Sequence, residues 1–193
     1  MSAPKILILP GSTRTGSHNV RLAALAAKEL TLLDVDVTRI SLVDYALPLY
    51  DADLEASRGV PDNAVKLKQM ITAHQGVFIA SPDYSASVSP ALKNAIDWVS
   101  RVRERGEPLY GAFKGRVFAI ASASTEASGG LPGLIALRQI LEIGCGALVI
   151  PEQVTVARAE HAFDDTDRLT DTRTANLLHS QLARLVEMTR LMA

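Results

Sequence analysis

Nine consecutive residues near the amino terminus, Gly11-Ser12-Thr13-Arg14-Thr15-Gly16-Ser17-His18-Asn19, include five small hydroxyl or amide side chains and a single arginine. They join an apolar run to an amphipathic one. Two better-known readings of such a turn fail on spacing. A dinucleotide fingerprint needs G-x-G-x-x-G, and here only Gly11 and Gly16 are present. A Walker A loop has the same gap between its glycines but follows the second with Lys and Ser/Thr, where this chain has Ser17 and His18. What remains is a neutral cradle with one cation at a helix N-terminus. The free N–H groups and the helix dipole favour an anion there by about 0.3–1 kcal/mol, or up to about 2 when partly buried. Hydrogen bonds to a charged group add roughly 1.5–3 kcal/mol each. Three or four of them would hold one phosphate without a metal. The plain alternative is an ordinary turn with Ser17 as the helix cap, but one cap does not need five small donors.

Two further clusters have a similar character. "SPDYSASVSP" (81–90) sets Tyr84 beside Ser85, Ser87 and Ser89, with Pro82 stiffening the entry. A tyrosine there can pack on a planar ring while the turn's N–H groups bond the ring's edge. "SASTEASGGLPG" (122–133) places Ser122, Ala123 and Ser124 before Gly129 and Gly130, and glycines let backbone approach a ligand closely. Taken singly, each reads equally well as a surface turn.

The elements around these clusters bring them together. Apolar runs at 5–10, 76–81, 115–122 and 146–152 read as strands covered on both faces, and the alternating run 34–41 reads as an edge strand. Helical patterns occupy 19–30, 61–74, 89–101, 131–143 and 171–191. Pro61 lies at the second of these, Ser89 and Pro90 open the third, and Gly144 ends the fourth. Strict β-α alternation predicts a parallel sheet with helices on both faces and right-handed crossovers. Five strands favour a flavodoxin-like three-layer sandwich of strand order 2-1-3-4-5, formed as a single domain over 1–193. The stretches 42–60 and 102–114 read as long loops, and 153–170 as a loop with an acidic patch. Ligands of open α/β sheets sit beyond the carboxyl ends of the strands, where all three clusters fall. A phosphate joined to a flat polar ring, with no grip for a pyrophosphate, describes flavin mononucleotide (FMN) better than a dinucleotide or ATP.

Composition excludes several classes. The chain has 193 residues, 48% of them hydrophobic, and a net charge of −1, so it lacks the basic stripe of a nucleic-acid platform. Cys145 is the only cysteine, which rules out an internal disulfide or a cysteine-rich zinc site. His18, His74, His161 and His179 are scattered without metal spacing and read as solvated or capping residues. No nucleophile elbow is present. No apolar run approaches the roughly 20 residues of a membrane span, and "MSAPKILILP" reads as a strand rather than a leader, so the expected location is cytoplasmic.

Over about residues 4–150 the sequence resembles the NADPH-dependent FMN reductase family of flavodoxin-like proteins, which includes quinone, chromate and azo-dye reductases. Gly11, Ser12, Arg14, Ser17, Asn19, Leu22 and Ala23 match that family's first motif. Pro82, Tyr84, Ser87 and the run Leu92 to Trp98 match its second, with one extra residue between Ser87 and Pro90. Asp83 replaces the usual Glu, Ser85 the usual Asn and Ala91 a frequent Gly, and the third loop lacks its first glycine. The resemblance implies that Ser12, Arg14, Ser17 and Asn19, with His18 beside them, hold the phosphate. It further implies that Pro82, Asp83, Tyr84 and Ser85 hold the flavin ring, joined by Ser122, Ala123 and Ser124. The chemistry would then be the flavin's, with NADPH or NADH as donor, a small molecule as acceptor and no catalytic side chain. A non-enzymatic electron carrier or redox sensor is the alternative, although such carriers tend to be strongly acidic. Family members commonly pair into dimers and tetramers. On the helix 89–101, Lys93, Asp97, Trp98 and Arg101 lie off the core-facing stripe, where Trp and Arg suit an interface.

Overall fold

The computed structural model describes residues 3–192. Its main strands are β1 (Lys5–Pro10), β2 (Asp36–Arg39), β3 (Gly76–Ala80), β6 (Val117–Ala123) and β7 (Leu148–Val156), between which lies a short antiparallel pair, β4 (Asp83–Tyr84) and β5 (Ser87–Val88). The helices are α1 (His18–Leu30), α2 (Ala52–Arg58), α3 (Asp62–Thr72), α4 (Pro90–Arg101), α5 (Leu131–Gln139) and α6 (Thr172–Leu191). The main sheet runs β2-β1-β3-β6-β7, parallel throughout, which is the expected 2-1-3-4-5 order with the small hairpin set aside.

Side chains alternate across a strand, and that period separates two cores. Ile6, Ile8, Phe78, Ala80, Val117, Ala119 and Ala121 face α1 and α6, meeting Leu22, Leu30, Leu178 and Leu182. Leu7, Leu9, Val77, Ile79, Phe118 and Ile120 face the other way, meeting Leu67, Leu92, Ile96, Val99, Leu134 and Leu137. Each large apolar side chain so buried contributes roughly 1.5–3 kcal/mol. The continuous apolar runs of the central strands are therefore two interleaved faces.

Four local expectations are corrected. Residues 42–60 are not simply a loop, because a 3-10 turn spans Leu42–Tyr45 and Asp51 caps α2 by accepting from the N–H groups of Asp53 and Leu54. The last strand does not end at 152. Pro151 cannot donate to a ladder, and pairing shifts from Phe118↔Val149 to Ile120↔Gln153 before continuing to Val156. Side chains restore the lost order there: the Gln181 amide donates to the Ile120 and Glu152 carbonyls at 2.8 and 2.9 Å, and Arg138 donates to the Ile150 carbonyl at 2.9 Å. Gly144 is not the cap of α5, which runs into a π-helical turn, Ile140–Gly144, with the left-handed backbone falling at Gly146 (φ 67°). Finally, Trp98 offers no surface to a partner. It is fully buried, its indole N–H donates to the Pro48 carbonyl at 2.7 Å, and Tyr50 packs against it edge-on. The neighbouring Asn94 amide holds the Tyr50 N–H and the Pro48 carbonyl, and Arg101 pairs with Glu55. The chain covers Trp98 with its own 46–58 segment, while the Lys93 and Arg101 side chains remain 44% and 52% exposed.

Candidate functional site

The carboxyl ends of β1, β3 and β6 are neighbours in the sheet, so the three clusters share one edge. Backbone bonds align them: Gly11 donates to the Ala80 carbonyl, and Ser81 to that of Ala121, both at 2.8 Å.

In the first loop Ser17 has extended backbone and its Oγ accepts from the Asn19 N–H at 3.2 Å, capping α1. Ser12 Oγ accepts from the Arg14 N–H at 3.2 Å. The N–H groups of Ser12, Thr13, Thr15, Gly16 and His18 donate to no other group among the described residues, and Arg14 joins no ion pair among them. A bend rich in free donors, with one unpaired cation at a helix start, has the chemistry of an anion site. The loop is pinned from below, where Ser89 Oγ donates to the Gly11 carbonyl while capping α4. A side chain at Gly11 would overlap Leu92, its Cβ falling 2.8 Å from Cδ2.

The second loop is the β4–β5 hairpin. Its central residues, Ser85 and Ala86, both adopt left-handed backbone (φ 51° and 60°). Such tight turns favour the twist of the flanking strands but cost a residue other than glycine about 1–2 kcal/mol. The Asp83 carboxylate holds the turn, one oxygen accepting from the Ala86 N–H and the other from the Gly133 N–H of α5, each at 2.9 Å. Tyr84, 47% exposed, stands at the edge of the hollow.

In the third loop the Asn19 side chain reaches across from α1. Its amide donates to the Ala123 carbonyl at 2.8 Å and its oxygen accepts from the Ala123 N–H at 2.9 Å. Asn19 thus extends the end of β6 like one more ladder rung, locking the first loop to the third. Ser122 is fully buried with its Oγ unpartnered, facing Gly130, whose backbone is left-handed (φ 86°).

Two adjoining hollows result. The smaller, about 130 Å³, is lined by Arg14, Ser17, His18, Asn19, Pro82, Asp83, Tyr84, Ala123, Ser124 and Thr125. The larger, about 470 Å³, shares Asp83 and Ser124 and adds Ser85, Ala86, Glu126, Ala127, Ser128 and Pro132. Of the residues expected to hold the phosphate or the ring, only Ser12 and Ser122 line neither. Thr125, Glu126, Ala127, Ser128 and Pro132 escaped the reading because nothing in a run of small residues distinguishes a lining position from a spacer. Burial chiefly, and then Arg14, holds the His18 imidazole below its ordinary pKa. No cluster of three or more metal-binding side chains occurs among the described residues. The donor-rich loop and the neighbouring larger hollow fit a phosphate joined to a ring system.

Comparison with known proteins agrees. The family model for NADPH-dependent FMN reductases matches residues 4–161. An NAD(P)H-dependent FMN reductase of Pseudomonas aeruginosa is 34% identical over 183 residues, 94% of this chain and 92% of that one. A quinone reductase of Escherichia coli is 36% identical over 138 residues, 71% of this chain and 69% of that one. Among solved structures, the flavoenzyme NAD(P)H:(acceptor) oxidoreductase FerB of Paracoccus denitrificans superposes with a TM-score of 0.78 at 26% identity, covering 98% and 99% of the two chains. With this sheet order, this edge and these relatives, the chain belongs to the NADPH-dependent FMN reductase family.

Proposed function

We propose that this protein holds FMN across the carboxyl edge of its sheet and catalyses electron transfer from NAD(P)H to a quinone or a similar small acceptor. The observation that carries the reading is the meeting of a donor-rich, carboxylate-free loop with a hairpin and a small-residue loop around two continuous hollows. The chemistry that bound FMN supplies is two-electron transfer between a nicotinamide and an acceptor. The chain's own residues bind and orient. Arg14, the Ser17 hydroxyl and the free N–H groups of the first loop take the phosphate. Tyr84, Ser85 and the backbone of 124–128 border the ring. Asn19 and Asp83 keep these three loops in register through the bonds they make to the backbone of Ala123, Ala86 and Gly133. No side chain in either hollow is needed to move a proton at the reacting atoms. The partners in this reading are the nicotinamide cofactor, the acceptor and a second copy of the chain in a homodimer or homotetramer. No helix among the described residues is long and apolar enough to cross a membrane, and the proposed location is the cytoplasm.

The test is a flavin titration of the flavin-free protein followed by anaerobic NADPH. Quenching of flavin fluorescence on binding, then bleaching of the yellow absorbance and its return with a quinone, is expected. Absence of FMN binding would overturn the proposal. Bleaching that only a partner protein, and no quinone, can reverse would instead make it an electron carrier.

A further inference from the structure

His18 is the first residue of α1, directly after the Ser17 cap, and it lines the smaller hollow beside Arg14 and Ser17. Its Nδ1 is buried and bonded to nothing. An unpartnered buried ring nitrogen costs stability in the empty protein, and a group entering the adjoining hollow is a source of a partner. Three charged groups act on the ring through space: Arg14 from the same loop, Arg21 from the next turn of α1, and Glu160 from the segment after β7. Arg21 is itself answered by Asp167 at 2.7 Å and lies over the Phe163 ring. Arg14 has no such counter-ion among the described residues.

We infer that His18 is a phosphate-binding residue that takes up a proton from solvent as a phosphomonoester dianion enters the hollow. This rests on the FMN reading above, in which His18 stands beside the phosphate residues, and adds to it a direct role for the ring and a charge change. In the empty protein, burial, Arg14, Arg21 and the positive end of the α1 dipole all disfavour an imidazolium, and only Glu160 favours one. The ring is then neutral at neutral pH. A dianion beside it outweighs both arginines, because an opposite charge within about 4–6 Å strongly favours the charged form. The ring nitrogen changes from a lone pair to an N–H donor, and no bond other than N–H is formed or broken. Affinity for the phosphate must then fall as pH rises above the free ring's value, until the bound ring also loses its proton. Riboflavin, which lacks the phosphate, leaves the ring neutral and feels none of this. The device discriminates FMN from riboflavin by more than the donors alone.

The test compares FMN with riboflavin on flavin-free protein by titration calorimetry in buffers of differing ionisation heat, between pH 7 and 8.5. This range lies above the phosphate's own second ionisation near about 6. Wild-type protein is expected to take up a measurable fraction of a proton, up to about one, with FMN and none with riboflavin. His18→Gln and His18→Asn are expected to take up none with either, and to lose several-fold in FMN affinity at pH 7 but little at pH 8.5. Equal proton uptake in wild type and both variants, or none in wild type, would overturn the assignment while leaving the FMN site standing. Equal affinity for FMN and riboflavin at every pH would remove the phosphate site and this inference with it. Urea midpoints in the variants at or above that of wild type establish that folding does not account for the difference.

Discussion

Replacing Asn19 by alanine separates two roles that a sequence motif cannot distinguish. The side chain is 2% exposed, and both of its polar atoms are engaged on the Ala123 backbone at 2.8 and 2.9 Å. Alanine removes both partners and leaves a buried N–H and a buried carbonyl unsatisfied. Each such group costs about 1–3 kcal/mol. Allowing for some relief by water from the adjoining hollow, the flavin-free protein should lose roughly 2–4 kcal/mol. Whole-domain stability is typically about 5–15 kcal/mol, so the change is easily read as a lower urea midpoint at unchanged slope. Asn19→Asp keeps the acceptor but replaces the donor with an oxygen facing a carbonyl, so it should be no more stable than the alanine variant. The reasoning fails if Asn19→Ala lowers stability by less than about 1 kcal/mol yet still abolishes the preference for FMN over riboflavin. Asn19 would then act on the phosphate directly.

Other expectations follow from the same geometry. Arg14→Ala should weaken FMN binding by about 1.5–3 kcal/mol, the value of a lost charged hydrogen bond, and leave riboflavin binding unchanged in a fluorescence titration. Gly130→Ala should destabilise by at least about 2 kcal/mol in urea unfolding, because the new Cβ would fall 2.1 Å from Ser122 Oγ on a left-handed backbone. Adding Ser122→Ala should relieve the 2.1 Å overlap and leave the 3.0 Å approach to the Cβ of residue 122 together with the backbone cost of about 1–2 kcal/mol. Glu107 accepts from the buried Lys68 ammonium and from the Glu104 N–H, which hold its carboxyl below the usual range. Its stabilising contribution is therefore complete above the unfolded value near about 4.3 and is lost as pH falls through the lower folded value. Unfolding midpoints measured from pH 7 to 3 should fall more steeply for wild type than for Glu107→Gln.

The layer order, the two-sided strands and the edge that carries the site were all legible in the residues. Continuous apolar runs alternating with 3.6-period stripes admit few packings, and right-handed crossovers select among those. Helix starts were legible where a cap precedes a proline or a stripe, as at Ser17 and Ser89. The Asp51 cap and Gly59 bracket α2, but they do not mark a helix in the sequence because α2 has no apolar stripe to bury. The hairpin at 83–88 escaped because Ser-Ala is not a left-handed turn pair by propensity. The Asp83 carboxylate and the α5 N-terminus impose that conformation.

By itself, the sequence determined which loops carry hydroxyl, amide and cationic groups and which end of the sheet they must occupy, because period and alternation are local properties of the chain. The tertiary structure alone decided what each polar group is free to do. Asn19 and Asp83 read as ligands from their types alone, and only the fold shows that each also holds backbone partners 104 and 50 residues away. Trp98 reads as an interface residue until the carbonyl of Pro48 and the ring of Tyr50 close over it. A side chain's type sets what it can bond, but the folded chain decides whether that bond has already been made.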